Sequence, residues 1–187
     1  GEHCGRYAHV AAQLNSWGWQ VFGYDQRGHG RSEGQRGGLR ADDDLLHDLA
    51  SVIDALRAAM PGPLVLLGHS MGGLVAARFV AEGVRPVDAL VLSSPALDPG
   101  MSIPQKLLLA SLGRLAPNLR LSNGLKPEWI SRDAQVVRNY VADPLVHDRV
   151  TPRLVRFIVD GGEAVAARAD AWALPTLLLY AGSDRCV

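Results

Sequence analysis

No run in the 187-residue chain approaches the ~18 consecutive apolar residues that a bilayer-spanning helix requires. The opening Gly1-Glu2-His3-Cys4-Gly5 shows none of the pattern of a secretory signal. Cysteine is scarce: Cys4 and Cys186, near opposite ends, do not make a disulfide framework, and a reducing, cytoplasmic setting is the expectation. Net charge is missing, with 19 Lys+Arg against 19 Asp+Glu and no long run of either sign. No basic field is therefore present to hold nucleic acid or an anionic membrane. There is no internal repeat and no low-complexity tract, and no metal or cofactor is expected. A further absence concerns histidine. All six (His3, His9, His29, His47, His69 and His147) precede Asp184, and only Arg185-Cys186-Val187 follow it.

What is present is ordinary globular composition, 48% hydrophobic and 20% charged, in a length that suits one domain with an insertion. Tyr7, Val10, Ala11, Leu14 and Trp17 recur at helical spacing before Gly18. Trp19–Tyr24 is short, aromatic and β-branched and reads as a strand; the glycine-rich turn 25–30 follows. Leu45, Leu46, Leu49, Val52, Ile53 and Leu56 form one apolar stripe, with Asp42-Asp43-Asp44 where a helix dipole favours acids and Pro61-Gly62-Pro63 as the stop. Leu64–Leu67 and Ala89–Leu92 are apolar runs suited to central parallel strands, and Leu74–Ala81 between them is apolar almost all round. This alternation implies right-handed crossovers and a mostly parallel sheet with helices on both faces. From Pro95 to Ala173 the rhythm turns helical, without a convincing strand, and the strand pattern returns only at Thr176–Tyr180. The division is therefore 1–94 as the first part of an α/β core, 95–173 as a helical cap, and 174–187 as the return to the core.

Gly68-His69-Ser70-Met71-Gly72 fits G-x-S-x-G, with an apolar strand leading in and a helix leading out. The spacing has a mechanical reason. A turn sharp enough to lift a serine hydroxyl above a sheet needs neighbours without bulk, which Gly68 and Gly72 supply. Ser70 would sit at a helix N-terminus, where free N–H groups and the dipole favour developing negative charge, and the N–H of Met71 would be one oxyanion donor. The alternative is an N-cap serine in a glycine-rich turn. His69 is adjacent to Ser70, points away around the turn, and reads as structural.

With these residues placed, the chain resembles α/β-hydrolases of the monoacylglycerol lipase and lysophospholipase type, within the serine aminopeptidase S33 family. Gly1–Tyr7 resembles the stretch after that family's oxyanion His-Gly. Residues 24–34 resemble its D-x-x-G-H-G-x-S-x-G loop, and Leu67–Gly73 its L-G-H-S-M-G-G elbow. Ser93-Ser94-Pro95-Ala96-Leu97, Leu115-Ala116-Pro117-Asn118-Leu119 and Tyr140-Val141-Ala142-Asp143-Pro144-Leu145 are similar to its cap-region landmarks. The resemblance implies a small acyl-ester substrate, transient contact with a membrane surface through the cap, and Asp184 as the triad acid. The residues themselves agree on Asp184, which follows an apolar strand in the Ser…Asp…His order of this fold; a turn aspartate after Gly-Ser is the alternative, and Asp143 and Asp160 are weaker rivals. The loop 25–32 reads as structural, with Arg27 bracing neighbouring segments. Met71, Leu107 and Leu108 are candidates for an acyl pocket, and Cys186 for an ordinary buried thiol.

The chain departs from the pattern at both ends. No triad histidine follows Asp184, and the oxyanion His-Gly and the strands before it are absent, so an internal fragment of a longer protein, itself inactive, is the expectation. Three functions compete: an ester hydrolase acting through an acyl-enzyme on Ser70, an aminopeptidase or amidase with the same triad, and a non-catalytic ligand-binding homologue.

Overall fold

The computed structural model describes residues 1–98, 100–184 and 186. A 3-10 turn, Cys4–Tyr7, runs into helix α1 (Ala8–Ser16), which stops where Gly18 takes φ 88°. The strand expected at Trp19–Tyr24 does not form: these residues belong to no helix or strand, and Trp19 and Phe22 are exposed. β-branched and aromatic content suits a strand, but a strand exists only through a hydrogen-bonded neighbour, and among the described residues none lies alongside.

Helix α2 (Asp44–Ala59) forms where the leucine stripe placed it and buries Leu45, Leu46, Leu49, Ala50 and Ile53. Its acidic start has a different task from the expected one. Asp44 accepts hydrogen bonds from the N–H groups of Arg40 (2.6 Å) and Ala41 (3.1 Å), so it ties the preceding loop and does not cap the helix. Strand β1 (Val65–His69), helix α3 (Met71–Ala81) and strand β2 (Ala89–Ser93) then make one right-handed crossover unit.

Helix α4 (Ile103–Leu115) opens with Pro104 in its first turn and a reciprocal cap between Ser102 and Gln105. It is followed by strand β3 (Leu121–Ser122), helix α5 (Ala134–Ala142) and strand β4 (Arg149–Val150). β3 and β4 pair antiparallel, a small ribbon inside the stretch that was expected to hold no strand. Pairs of only two residues leave no readable alternation in a sequence. Helix α6 (Pro152–Ala166) lies within the residues assigned to the cap, yet Leu154 and Phe157 pack into the main core. Its N-cap Thr151 is wholly buried, and the Thr151 hydroxyl and N–H both donate to the Gly37 carbonyl at 3.0 Å.

Strand β5 (Thr176–Leu179) closes a three-stranded parallel sheet in the order β1-β2-β5. Its register sets His69, Ser93 and Leu179 side by side, so all three strands end on one edge. Helix α3 packs against this sheet, and its two sides serve two clusters. Leu74, Val75 and Phe79 pack with the α2 stripe, Leu154 and Phe157; Ala76 and Ala77 pack with Leu90, Leu92 and Val165. Each large side chain fully buried in this way contributes about 1.5–3 kcal/mol.

Candidate active site

Ser70 occupies the single residue between the end of β1 and the start of α3, at φ 51° and ψ −123°. A non-glycine residue with positive φ costs on the order of 1–3 kcal/mol and persists only where its surroundings over-determine it. Here they do. The Ser70 N–H donates to the Ser93 carbonyl (3.0 Å), and the Ser70 carbonyl accepts from Leu74 (3.1 Å) and Ala96 (3.1 Å). The main chain is thus held on both sides and the hydroxyl is left to point off the sheet edge.

The glycines do what the spacing requires. A Cβ on Gly68 would collide with the Gly72 carbonyl, and one on Gly73 would press on Pro95 at 2.9 Å. Met71 is the first helical residue, and a helix's first N–H groups have no acceptor within the helix. Its N–H is therefore available to a developing oxyanion beside Ser70.

His69 turns away, with Nδ1 3.0 Å from the Ser93 carbonyl and 3.1 Å from the Ser93 hydroxyl. The other histidines are committed elsewhere or stand in solvent. His3 pairs with Asp143 (2.8 Å), and His47 lies 3.5 Å from Asp43. His29 and His147 stack at 4.9 Å and contact the Arg27 and Gly28 carbonyls, while His9 is exposed on α1. Burial pushes the His29 imidazole down to about 4, so it stays neutral.

Asp184 lies five residues beyond β5, off the same sheet edge as Ser70. It is exposed, its N–H donates to the Ala181 carbonyl, and its Oδ1 accepts from the Cys186 N–H at 2.8 Å. Of the residues that follow it, Arg185 and Val187 lie outside those described. The two rival carboxylates have other work. Asp143 accepts from His3, and Asp160 sits 3.9 Å from Arg156 with its carboxyl pushed up by burial. Burial raises both thiols, Cys186 further by Asp184 and Cys4 by Asp25, so neither is an activated nucleophile. Among the described residues no cluster of His, Cys, Asp or Glu could hold a metal ion.

Arg27 clamps α2 through a two-pronged contact with Asp48 (2.6 and 2.9 Å) and an approach to Asp44 at 3.3 Å. Leu108 borders an apolar groove of about 160 Å³ between α4 and the β4–α6 junction, while Leu107 is exposed. Two features carried no sequence signal. Ser94 also has positive φ, at 40°, where the chain leaves β2 toward Pro95, and the 1–7 segment is fastened to α5.

A nucleophile-elbow turn between a parallel strand and a buried helix, at the carboxyl edge of a β1-β2-β5 sheet, defines the class: the fold is that of the α/β-hydrolases. The chain belongs to the family described as serine aminopeptidase, S33, whose model matches residues 1–187. It is 35% identical over 190 residues to a monoacylglycerol lipase of Mycolicibacterium smegmatis, covering 100% of this chain and 68% of that protein. It is 32% identical over 190 residues to a phospholipase of Bacillus subtilis, covering 100% of this chain and 73% of that one. The crystal structure of Paleococcus ferrophilus monoacylglycerol lipase matches with a TM-score of 0.84 at 36% identity, over 96% of this chain and 69% of that one.

Proposed function

We propose that the protein is a serine carboxylic-ester hydrolase acting on monoacylglycerols or lysophospholipids through an acyl-enzyme on Ser70. The observation that carries this reading is the backbone of Ser70, held at φ 51° between β1 and α3 by three main-chain hydrogen bonds. In the reaction the Ser70 hydroxyl adds to the ester carbonyl as its proton passes to a base, and the oxyanion is met by the Met71 N–H. Collapse of the adduct breaks the bond to the alcohol, which leaves with that proton. Water then adds to the acyl-Ser70 ester and releases the fatty acid. Asp184 is the carboxylate proposed to orient the base imidazole. That imidazole and a second oxyanion donor are proposed to come from sequence outside these 187 residues, because the described histidines are engaged away from Ser70.

The lipid reading rests on the cap and on the relatives. Ile103, Leu107, Leu108 and Leu115 stand exposed on α4, the last at 86%, an apolar strip suited to an acyl chain or to a lipid surface. The similar proteins whose names specify lipid esters favour the same substrate class over aminoacyl amides. The test is a substrate series with the full-length protein: a long-chain monoacylglycerol, a lysophospholipid, an acetyl ester and an aminoacyl amide. Turnover of the long-chain esters, lost in Ser70→Ala, is expected; preference for the acetyl ester or the amide would reject the lipid reading.

A further inference from the structure

Helix α5 buries no residue, so apolar packing does not seat it. What meets it is the segment 1–7, and the match is geometric. A 3-10 turn has three residues per turn, so His3 and Arg6 share one side of the turn Cys4–Tyr7. On α5 and its C-cap, Tyr140 and Asp143 stand three apart and share one face. The two faces meet rung to rung: His3 Nε2 lies 2.8 Å from Asp143 Oδ2, and the Arg6 guanidinium lies 4.9 Å from the Tyr140 ring centroid. A third rung follows, where the His147 N–H donates to the Gly1 carbonyl at 3.0 Å.

The pair is sheltered, with side chains 12% and 23% exposed. Asp143 spends its other oxygen on the Leu145 N–H (2.9 Å), so the carboxylate is fixed in place. The turn is fixed in its own right, since the Cys4 N–H donates to Asp25 Oδ1 at 2.7 Å, and Asp25 Oδ2 accepts from Arg31 at 2.8 Å. The turn's last residue reaches the elbow: the Tyr7 ring stands 6.1 Å from the ring of His69, next to Ser70. One short segment therefore touches the cap on one side and the elbow on the other.

We propose that His3 and Asp143, seconded by Arg6 and Tyr140, form a clasp that sets the position of the cap relative to Ser70. They are positioning residues for binding the acyl chain and touch no reacting atom. The proposal rests on the ester-hydrolase reading for its effect on substrate, and on geometry alone for the seating of α5. A charge-assisted hydrogen bond between sheltered partners corresponds to roughly tenfold in an equilibrium.

The experiment uses the full-length protein and the variants His3→Ala, His3→Gln, Asp143→Ala and the double alanine variant. Each is measured for kcat and KM on a long-chain monoacylglycerol and on p-nitrophenyl acetate, and for amide hydrogen exchange without substrate. His3→Ala and Asp143→Ala should each raise KM for the long-chain ester roughly tenfold and speed exchange in residues 134–142 by a similar factor. Acetate kinetics and exchange in α2 and α3 should stay within about twofold of wild type. The double variant should be no worse than either single one, and His3→Gln, whose amide can still donate to Asp143, should recover most of the loss. Unchanged exchange in 134–142, additive effects in the double variant, or an equal loss on acetate would overturn the clasp. If a variant unfolds, α2 exchanges as fast as α5, and the glutamine variant decides. If the wild type hydrolyses neither ester, or Ser70→Ala retains the activity, the hydrolase reading fails while the exchange data still judge the clasp.

Discussion

Ser70 stands in a backbone conformation that only its neighbours make tenable, and those neighbours are the most exacting positions in the chain. Gly68→Ala would push a methyl group into the Gly72 carbonyl, which belongs to the first turn of α3 and cannot retreat cheaply. Forced overpacking of this kind costs about 1–3 kcal/mol. The expected outcome is a lower urea midpoint together with a Ser70 labelling rate reduced at least about tenfold, since the elbow itself must shift. A midpoint and a rate both equal to wild type would show that the turn is more forgiving than the geometry states. His29 offers a second test at this scale. Burial, aided by the neighbouring N-terminal ammonium, His147 and Arg36, holds its folded value near 4, against an ordinary value of 6.5. As pH falls from about 6.5 to about 4, the unfolded chain takes up a proton that the folded chain refuses, so stability is complete above that window and declines within it. At about 1.4 kcal/mol per unit the loss is at most about 3 kcal/mol. Chemical denaturation of wild type and His29→Gln at several pH values should show a shallower acid decline in the variant. Parallel declines would mean that the buried imidazole is not the group responsible.

At the scale of elements, helix α3 is the hub. It meets α2 and α6 with one side and the strands β1 and β2 with the other. Phe157→Ala on α6 should therefore cost about 3–5 kcal/mol, read from denaturant unfolding, whereas Leu115→Ala at the exposed end of α4 should stay within about 0.5 kcal/mol. Comparable costs would contradict the division between core helix and surface helix. Much of this layer was legible in the sequence, because the signals are local. The α2 stripe, the all-apolar α3 and the short strands around them carry their period within a dozen residues. The failures have a common physical origin in non-local contacts. Trp19–Tyr24 has a strand's composition but no neighbour to pair with, β3 and β4 are recognisable only once they face each other, and Asp44 serves the loop behind it.

For the whole molecule, the topology brings the ends of β1, β2 and β5 to one edge, so Ser70 and Asp184 project from the same side although they are distant in sequence. The order of the motifs made that arrangement readable. The His3–Asp143 link was not, since nothing in a lone histidine and a lone aspartate 140 positions apart signals that they meet. The engagement of the described histidines also bears on activity. Residues 1–187 expressed alone should turn over no monoacylglycerol at a triad-like rate, since loss of the base in a serine triad costs about 10⁶ in kcat. Turnover by these residues that disappears in Ser70→Ala would mean that one of the six histidines reaches Ser70 after all. The central claim, that Ser70 is the acyl-accepting residue, is tested most directly by labelling the full-length protein with a fluorophosphonate probe and mapping the modified peptide. The account predicts a single adduct on Ser70, with Ser32, Ser94 and Ser183 untouched; a label on any of those three, or none on Ser70, would contradict it.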